Sequence, residues 1–377
     1  MASARQPARR EDFRTAILCA LVLEYDAISL IFDRFWDEDG DPYGKAPGDT
    51  NQYTTGRIGK HDVVLVLSST GKAAAAGAAA SLRSSYTRLD LIFLVGVCGG
   101  VPHVRRVPSG GSLPSVGSLP SGRKDEVHEV LLGDVVIDDM VFQYDFGRQH
   151  EDRFETKDAI EDSLGRPNKT IRGLIAIFKT KMGRERLQKK AAERLQDLQL
   201  KADYCYPGPN QDKLFLPTYL HQHHKACIVC GDGPCAEAAL ASCEELGCED
   251  EYLVPRERLG KKQQVALELA QAPTIFVGRI GSADSVMRSS HRRDELAKER
   301  QLIAFEMEGA GVWDEVPCIV IKGISDYADS HKDKHKGWHN FAAATAAATT
   351  RAVLDQYSQT DPDRLAEAVP YQQPSEL

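Results

Sequence analysis

The chain has 377 residues, of which 42% are hydrophobic and 27% are charged, a composition typical of a globular protein with a full core. Its formal net charge of -8 argues against general nucleic-acid binding, because a polyanionic backbone attracts basic surfaces. No run approaches the roughly 20 apolar residues of a membrane-spanning helix, and the start, MASARQPARR, lacks the apolar segment of a secretory signal. We therefore expect a cytoplasmic protein that binds no membrane, with nine cysteines present as thiols.

Apolar runs of strand length recur along the chain, and small or polar residues follow most of them. These runs are 17–23 (ILCALVL), 61–67 (HDVVLVL), 91–97 (LIFLVGV), 133–137 (GDVVI), 274–280 (TIFVGRI) and 318–322 (CIVIK). An alanine-rich helix is expected from Ala73 to about Leu82, and a final helix from Trp338 to Tyr357. Strands, small-residue turns and helices in this order are typical of an α/β fold whose central, mostly parallel twisted sheet is flanked by helices.

Two segments interrupt this pattern. Residues 101–130 are rich in Pro, Gly and Ser and contain the pentapeptide GSLPS twice, beginning at Gly111 and at Gly117, which predicts a flexible surface loop. Residues 148–273 are charged and contain a helix-prone stretch at 171–200. We expect this second segment to be a helical and loop insertion that lies outside the core.

The domain organisation follows from these interruptions. A single domain is expected over residues 13–357, with both insertions inside it. The basic residues 1–12 predict a disordered leader, and the polar residues 358–377 predict a flexible tail.

Polar residues follow the ends of several apolar runs. The carboxyl ends of parallel strands meet at one edge of a sheet, so residues far apart in the sequence face one pocket there. Each such residue alone is equally well explained as a turn or helix-cap residue. Their recurrence indicates a ligand site, and the residues concerned are Glu24, Thr70, Gly99, Asp284, Glu308 and Asp326.

Four motifs stand in a fixed order at these strand ends: VGVCGGV, GDVVI, EMEGAG and ISDYAD. With this set the chain resembles the nucleoside phosphorylase and nucleosidase superfamily, whose domain is purine nucleoside phosphorylase-like, and within it a fungal branch similar to ATP nucleosidases. The resemblance implies a three-layer phosphorylase/hydrolase-like α/β fold and a purine nucleoside or nucleotide substrate. It also implies a homodimer or larger homo-oligomer, and cleavage without a cofactor.

The resemblance assigns to Asp326 the role of the acid at the purine N7. Cleavage of an N-glycosidic bond builds positive, oxocarbenium-like charge on the sugar and negative charge on the departing base, so a protonated carboxyl group must meet the base. The second oxygen of Asp326 can accept a hydrogen bond from a 6-amino group, which favours adenine over a 6-oxo purine. Asp329 is the alternative acid on spacing alone.

Glu24 decides between hydrolysis and phosphorolysis. Phosphorylases of the superfamily place a glycine and an arginine in the loop after the first strand to bind phosphate, whereas nucleosidases place there a glutamate that activates water. The sequence CALVLEYDA puts Glu24 on the nucleosidase pattern with no arginine in the turn, and a carboxylate repels a phosphate dianion. The alternative is that Glu24 caps the following helix.

The resemblance also implies which residues bind the sugar. Glu308 is expected to bind the ribose hydroxyls, with Met307 packed on the sugar and Glu306 supporting Glu308. Cys98 stands where relatives carry serine or alanine, but its side chain is small enough to allow close backbone approach. Further small residues expected in contact with substrate are Gly99, Thr70 and Gly71.

The turn at 282–287 (SADSVM) resembles the base-binding turn of the family. It is expected to contact the purine through Ser285, Val286 and Met287. Val286 and Met287 fit a hydrophobic core equally well.

Phosphate groups on the substrate are a further implication of the resemblance. Fungal and bacterial-defence relatives imply removal of adenine from ATP, and a triphosphate requires several cationic groups near the ribose 5′ end. The sequence does not single out which cations converge. The candidates are Arg57, Lys60, Lys72, Arg148, Arg279, Arg288, His291, Arg292 and Arg293.

A cluster of cysteines and histidines lies between residues 221 and 248. Its CxxC pair, Cys227 and Cys230, has a spacing that suits structural zinc, because thiolates and imidazoles form tetrahedral sites. A second clean ligand pair is missing, and small cysteines also fill apolar gaps in helices. A structural zinc ion without a part in cleavage therefore stays an alternative, and the cluster consists of His221, His223, His224, Cys227, Cys230, Cys235, Cys243 and Cys248.

Taken together, the residues and the resemblance predict a purine N-glycosidase that acts on an adenine nucleotide or nucleoside. The first choice of substrate is ATP, cleaved to adenine and ribose 5′-triphosphate. Two alternatives stay open: a phosphate-dependent purine nucleoside phosphorylase, and a nucleotide-sensing module without turnover.

Overall fold

Alternating strands and helices build the central part of the molecule. The computed structural model describes residues 6–105, 127–224, 236–331 and 336–358. The strands of these residues are β1 (Thr15–Cys19), β2 (Arg34–Phe35), β3 (Tyr53–Ile58), β4 (His61–Leu67), β5 (Leu91–Gly100), β6 (His103–Arg105), β7 (Val127–Glu129), β8 (Val135–Gln143), β9 (Gly147–Gln149), β10 (Phe154–Thr156), β11 (Ile275–Ser282), β12 (Leu302–Glu306) and β13 (Ile319–Asp326).

Helices cover the sheet and form most of the long segment between β10 and β11. The α-helices are α1 (Val22–Ser29), α2 (Lys72–Ser85), α3 (Lys169–Lys179), α4 (Lys181–Leu198), α5 (Ala236–Leu240), α6 (Cys243–Leu246), α7 (Glu257–Gln263), α8 (Leu267–Ala270), α9 (Ser290–Arg300), α10 (Gly309–Glu315) and α11 (Lys336–Gln356). Across the four described ranges, no helix is both long enough and apolar enough to cross a bilayer.

The central sheet has the strand order β12-β11-β8-β13-β5-β1-β4-β3-β2. Strands β4, β1, β5 and β13 are parallel to one another, and so are β8, β11 and β12. The two groups meet in an antiparallel pair between β8 and β13. Parallel pairs outnumber antiparallel ones, which confirms the predicted mostly parallel α/β sheet.

A second contact brings the strand ends together. The last residues of β5, Gly99 and Gly100, also pair antiparallel with Phe305 and Ala304 of β12. The end of β12 therefore meets the ends of β5 and β13, although β12 runs against them. The parallel pairs of the sheet alone would not bring the end of β12 to this place, and the antiparallel pairing at two glycines does so.

Helix α11 packs directly on β13 and β5. A Cβ added at Gly323 of β13 would lie 2.0 Å from the carbonyl oxygen of Ala342, so only a glycine allows the helix backbone this close. Alanines dominate the buried residues of α11, which keeps the layer thin. The helix therefore fixes the position of the strand that ends at Asp326.

The segment 148–273 contributes to the same core. Apolar residues of α3 and α4, among them Ile171, Phe178 and Leu195, belong to the main hydrophobic cluster, and α4 packs against α11. The expectation that this segment lies outside the core is wrong for 169–198. That it is an insertion relative to other family members stays a prediction.

Other boundaries differ from the predicted ones. The run 17–23 is not one strand, because β1 ends at Cys19 and α1 begins at Val22. In the expected loop 101–130, β6 and β7 pair antiparallel, and both GSLPS repeats lie outside the described residues. Of the expected leader, residues 10–12 form a 3-10 turn.

Candidate active site

Lys322 lies at the centre of a buried group of carboxylates. It belongs to β13, is 0% exposed, and places Nζ 3.1 Å from Oε2 of Glu308 and 3.7 Å from Oε2 of Glu306. Burial acts to lower the pKa of Lys322, but Glu308, Glu24 and Glu306 together raise it above its usual value, so the lysine is charged. Lys322 was not among the predicted site residues. Its signal was a single charged residue inside a run buried on both faces, which requires a compensating partner.

Glu306 ends β12 and accepts hydrogen bonds from two backbone amides. Its Oε2 accepts from the amide of Glu308 at 3.0 Å, and both of its oxygens accept from the amide of Gly309. Burial raises the pKa of Glu306, against the opposing effect of Lys322. These contacts fix the turn that carries Glu308, which is the geometry that the predicted supporting role requires.

Glu308 joins two turns that are far apart in the sequence. Its Oε1 accepts a hydrogen bond of 3.2 Å from the amide of Gly71, and its Oε2 faces Lys322. Gly71 has φ +97°, a conformation that favours glycine. Thr70 is exposed beside it, and Met307 is half-buried next to Glu308. The predicted turn after β4 and the predicted sugar-binding glutamate therefore meet.

Glu24 lies in the first turn of α1 and is buried. Its Oε2 accepts from the amides of Ala20 and Leu21, both at 2.9 Å, and its Oε1 accepts from the amide of Val97 at 2.8 Å. The capping contact is therefore present, because Leu21 is the N-cap residue of α1, while the role of Glu24 in water activation stays a prediction. A carboxylate has about four lone-pair sites, so three backbone donors still leave room for a water molecule. Burial raises the pKa of Glu24, while Lys322 opposes that effect.

Gly96 provides the space that Glu24 occupies. A Cβ at this position would lie 2.1 Å from Oε1 of Glu24, far inside contact distance. Gly96→Ala is therefore expected to displace the carboxylate from Val97 and to lower the free energy of unfolding by about 1–3 kcal/mol, as overpacking does. Thermal unfolding measures this effect.

Gly77→Ala is the matched control for Gly96→Ala. A Cβ at Gly77 of α2 meets nothing within 4 Å, and alanine is the better helix former, so the melting temperature should stay or rise. An unchanged melting temperature for Gly96→Ala would contradict the tight fit around Glu24.

Asp326 ends β13 beside the glycine turn of β5. Its Oδ1 accepts from the amide of Ala328 at 2.8 Å, and its Oδ2 lies 2.9 Å from the hydroxyl of Ser325. That hydroxyl is also 3.3 Å from the carbonyl oxygen of Cys98. A Cβ at Gly99 would lie 2.9 Å from Oδ1 of Asp326, so the glycine allows the close approach.

One strand positions both predicted catalytic carboxylates. On β5, Val97 donates to Glu24, and Gly99 is the register partner of Asp326. Two residues along a strand span about 7 Å, so β5 holds the two carboxylates at positions about that far apart along its length.

The loop after Asp326 is anchored by the segment 206–256. The hydroxyl of Tyr327 donates to Oδ1 of Asp212 at 2.7 Å, and the same oxygen accepts from buried Arg256 at 2.7 Å. Ala328 follows with φ +51°, an uncommon conformation for a residue with a Cβ. The loop conformation is therefore imposed by its surroundings.

Asp329, the alternative acid, has other partners. Its Oδ1 accepts from the amide of His331 at 2.9 Å, and its Oδ2 lies 4.0 Å from the guanidinium of Arg293. Arg293 itself is buried and donates to the carbonyl oxygen of Tyr327. Burial raises the pKa of Asp329, against His331 and Arg293. These contacts indicate that Asp329 stabilises the loop that follows Asp326.

The predicted base-binding turn is partly open. Val286 is 43% exposed, so the alternative that it is a core residue is wrong, whereas Met287 packs against a small hydrophobic cluster. Ser285 is exposed, and its carbonyl oxygen faces the hydroxyl of Tyr144 at 3.4 Å. Oδ1 of Asp284 accepts from the amide of Lys72 at 2.7 Å, which joins this turn to the turn after β4.

The predicted phosphate-binding cations occupy several separate places. Lys72 contacts site turns, with Nζ 2.5 Å from Asp145 and 3.7 Å from Asp284, and Arg293 contacts the loop after Asp326. Arg57 and Lys60 flank the start of β4, at the opposite end of that strand from Thr70 and Gly71, so these two candidates lie away from the turn that contacts Glu308. The others are engaged elsewhere or exposed near α9: Arg148 faces Glu155, Arg279 donates to Arg300, Arg292 pairs with Glu295, and Arg288 and His291 are exposed.

The predicted zinc pair, Cys227 and Cys230, lies outside the described residues. His221, Cys243 and Cys248 of the same stretch lie close together.

Comparison with known proteins agrees with this architecture. The family model of the phosphorylase superfamily matches residues 14–358. A nucleotide-binding leucine-rich repeat (NLR)-like protein of Hyaloscypha variabilis is 30% identical over 354 residues, which are 91% of this chain and 29% of that protein. A death domain-containing ATP nucleosidase of Amphimedon queenslandica is 34% identical over 86 residues, 21% of this chain and 16% of that protein. The chain thus spans less than a third of the length of these curated relatives.

Solved structures share the fold at low sequence identity. A mutant of the 5′-methylthioadenosine/S-adenosylhomocysteine nucleosidase from Helicobacter pylori, with 5′-methylthioadenosine in its active site, has a TM-score of 0.50 at 15% identity, over 92% of this chain and 99% of its own. Futalosine hydrolase from the same organism has a TM-score of 0.50 at 16% identity, over 92% and 98%. The sheet, its flanking helices and the match over nearly the whole sequence lead to one conclusion: this chain belongs to the phosphorylase superfamily.

Proposed function

We propose that this chain is a purine N-glycosidase that hydrolyses the N-glycosidic bond of an adenine nucleotide or nucleoside, with ATP as the first substrate. The observation that carries the proposal is the buried cluster in which Glu24, Glu306 and Glu308 surround the single lysine, Lys322. Protonation of the departing purine is assigned to Asp326, which ends β13, the strand that also carries Lys322.

The charge of this cluster favours hydrolysis. Three ionised carboxylates around one ammonium group have a net negative charge. Such a site stabilises the positive charge that develops on the sugar. The same charge repels a phosphate dianion, whereas water carries none. A buried carboxyl group with a raised pKa, such as that of Glu24, is also a better proton acceptor than an exposed one.

The proposed reaction breaks the bond between the ribose C1′ and the purine N9. The electron pair of this bond goes to the base, which Asp326 protonates at N7, while Glu308 orients the ribose hydroxyls. Water attacks C1′ and its proton passes to Glu24, so free purine and the ribose product result. The reaction requires no cofactor.

The choice of ATP rests on the relative named as an ATP nucleosidase, which matches 86 residues of this chain. Lys72, beside the turn that contacts Glu308, is the candidate for a phosphate contact. A cytoplasmic location, a homo-oligomeric assembly and a role in fungal immunity are further parts of the proposal, and they rest on the family resemblance alone.

The decisive experiment incubates the purified chain with ATP, ADP, AMP, adenosine or 5′-methylthioadenosine and measures free adenine by liquid chromatography. Adenine is expected from ATP in phosphate-free buffer, at a rate that added inorganic phosphate does not raise. Release that requires phosphate would identify a phosphorylase, and binding of ATP without release would identify a sensing module. Either result overturns the proposal.

Glu24→Gln is expected to lower the rate of adenine release by about 10²–10⁴-fold, because an amide cannot accept the proton of water. In the wild type, the rate should fall as the pH drops through the raised pKa of Glu24, since the protonated carboxyl group is no longer a base. The residual rate of Glu24→Gln should lack this acid limb. Rate profiles over pH for both proteins test the prediction, and wild-type activity in Glu24→Gln would refute it.

A further inference from the structure

Four metal-binding side chains converge outside the candidate active site: His221, Cys243, Cys248 and His331. One potential ligand atom from each lies within 4.8 Å of those of the other three. Two cysteines and two histidines form a common ligand set of structural zinc. We infer that these four residues bind one zinc ion and thereby fasten the segment around α6 to the loop that follows Asp326.

The distances suit a tetrahedral ion. Nδ1 of His221 lies 3.6 Å from Sγ of Cys243 and 3.8 Å from Sγ of Cys248. With Zn–S bonds of about 2.3 Å and Zn–N bonds of about 2.0 Å, tetrahedral geometry separates S and N by about 3.5 Å. The separations of Nδ1 of His221 from the two sulfurs are therefore within about 0.3 Å of those that a zinc ion would impose, and the ligand atom of His331 lies within 4.8 Å of all three.

The second nitrogen of His221 selects the tautomer that metal binding needs. Nε2 lies 3.0 Å from the carbonyl oxygen of Ala241, which can only accept, so Nε2 carries the proton. Nδ1 therefore presents its lone pair to Cys243 and Cys248. A single metal ion in this position would coordinate the Nδ1 lone pair and both sulfurs.

His331 has the other features of a ligand. Its side chain is 8% exposed, and its Nε2 makes no hydrogen bond within the described part of the chain. Its Nδ1 faces Oδ1 of Asp329 at 3.9 Å. A buried imidazole nitrogen without a partner costs about 1–3 kcal/mol, and coordination of a metal removes that cost.

The backbone brings the two cysteines to one side. Helix α6 is a single turn that starts at Cys243, and Gly247 ends it in the left-handed conformation with φ +72°. The amide of Cys248 then donates to the carbonyl oxygen of Cys243 at 2.8 Å. Residues five apart thus face the same point.

The site connects two parts of the molecule. The amide of His221 donates to the hydroxyl of Ser330 at 3.0 Å, and the ring of Phe215 stacks on His331 with centroids 4.2 Å apart. His331 lies five residues after Asp326, so an ion there would stabilise the loop without entering the reaction. This inference does not rest on the proposed function, because its readout is metal content.

The test measures zinc by plasma mass spectrometry on the full chain, purified without chelators. One zinc ion per chain is expected in the wild type, and less than one tenth of that in Cys243→Ser, in Cys248→Ser and in His331→Ala. His331→Cys, which restores a ligand, should recover zinc. Cys205→Ser, at an exposed thiol outside the cluster, and the double variant Cys227→Ser/Cys230→Ser should retain it.

A variant that folds poorly would also lose zinc, so a second measurement uses the wild-type chain. Wild-type chain stripped of metal and loaded with Co²⁺ should show the visible absorption of a tetrahedral thiolate site, and chelation should lower the melting temperature reversibly. Full zinc in Cys243→Ser and Cys248→Ser would overturn the inference. So would loss of zinc in Cys227→Ser/Cys230→Ser alone, or a wild type that takes up neither Zn²⁺ nor Co²⁺.

Discussion

Asp326→Asn is expected to lower the rate of adenine release by about 10²–10⁴-fold while the protein stays folded, because an amide cannot donate the proton that N7 requires. The amide keeps an oxygen that can accept from Ala328, and the hydroxyl of Ser325 can reorient toward the new NH₂ group. The melting temperature should therefore change little. Steady-state adenine release and thermal unfolding measure the two effects separately.

Asp329→Asn is the matched comparison for Asp326→Asn. Asp329 is equally buried, but Arg293 and His331 surround it, so its replacement should reduce stability and leave the chemical step in place. The opposite pattern, in which Asp329→Asn abolishes adenine release and Asp326→Asn does not, would make Asp329 the acid.

Six strands of the sheet were predictable because each contains a short, continuous apolar run, whereas β2 (RF) and β3 (YTTGRI) have no such run; the six are β1, β4, β5, β8, β11 and β13. The first run misled at its end, since Leu21 to Leu23 stay apolar while the backbone turns from β1 into α1. An apolar run alone cannot distinguish a buried strand from the first turn of a buried helix. Glu24 was therefore expected in the loop after the first strand, whereas it lies in the first turn of α1, and its catalytic role stays a proposal.

Helix α3, in the segment 148–273, has apolar residues at helical spacing, although the high average charge of the whole segment obscured this pattern. Ile171, Leu174, Ile175 and Phe178 follow the spacing i, i+3, i+4, i+7, which predicts one buried helix face. The charged residues around them belong to the solvent side of α3 and α4. Average charge over 148–273 was thus a poor guide to which residues are buried.

The convergence of the site depends on pairings that one sequence does not reveal. The antiparallel contact of β12 with β5 brings Glu306 to the end of β5 and near Lys322, and no local pattern in the sequence predicts that contact. His331 is likewise 83 residues beyond Cys248, so ligand spacing could not join them. The sequence shows which residue types stand at the ends of strands. Which residues they contact is determined by the fold.

Lys322→Met is expected to lower the free energy of unfolding by about 3–5 kcal/mol at neutral pH, because removal of one partner leaves buried carboxylates without compensation. Glu308 and Glu306 are the carboxylates in contact with Nζ. Lys179→Met is the control, since its ammonium group pairs with Asp139 at a site where the lysine is 44% exposed, and such pairs contribute about 0–1 kcal/mol.

The loss in Lys322→Met should depend on pH in a defined direction. Burial already raises the pKa of Glu306, and Lys322 acts against that effect, so removing the lysine raises the pKa further. A carboxyl group whose pKa is higher in the folded than in the unfolded state favours folding at low pH, and this contribution is lost as the pH rises through the raised value. The difference between wild type and Lys322→Met should therefore shrink from about pH 8 to about pH 5 in urea unfolding. A pH-independent difference, or one as small as that of Lys179→Met, would show that the lysine does not compensate the buried carboxylates.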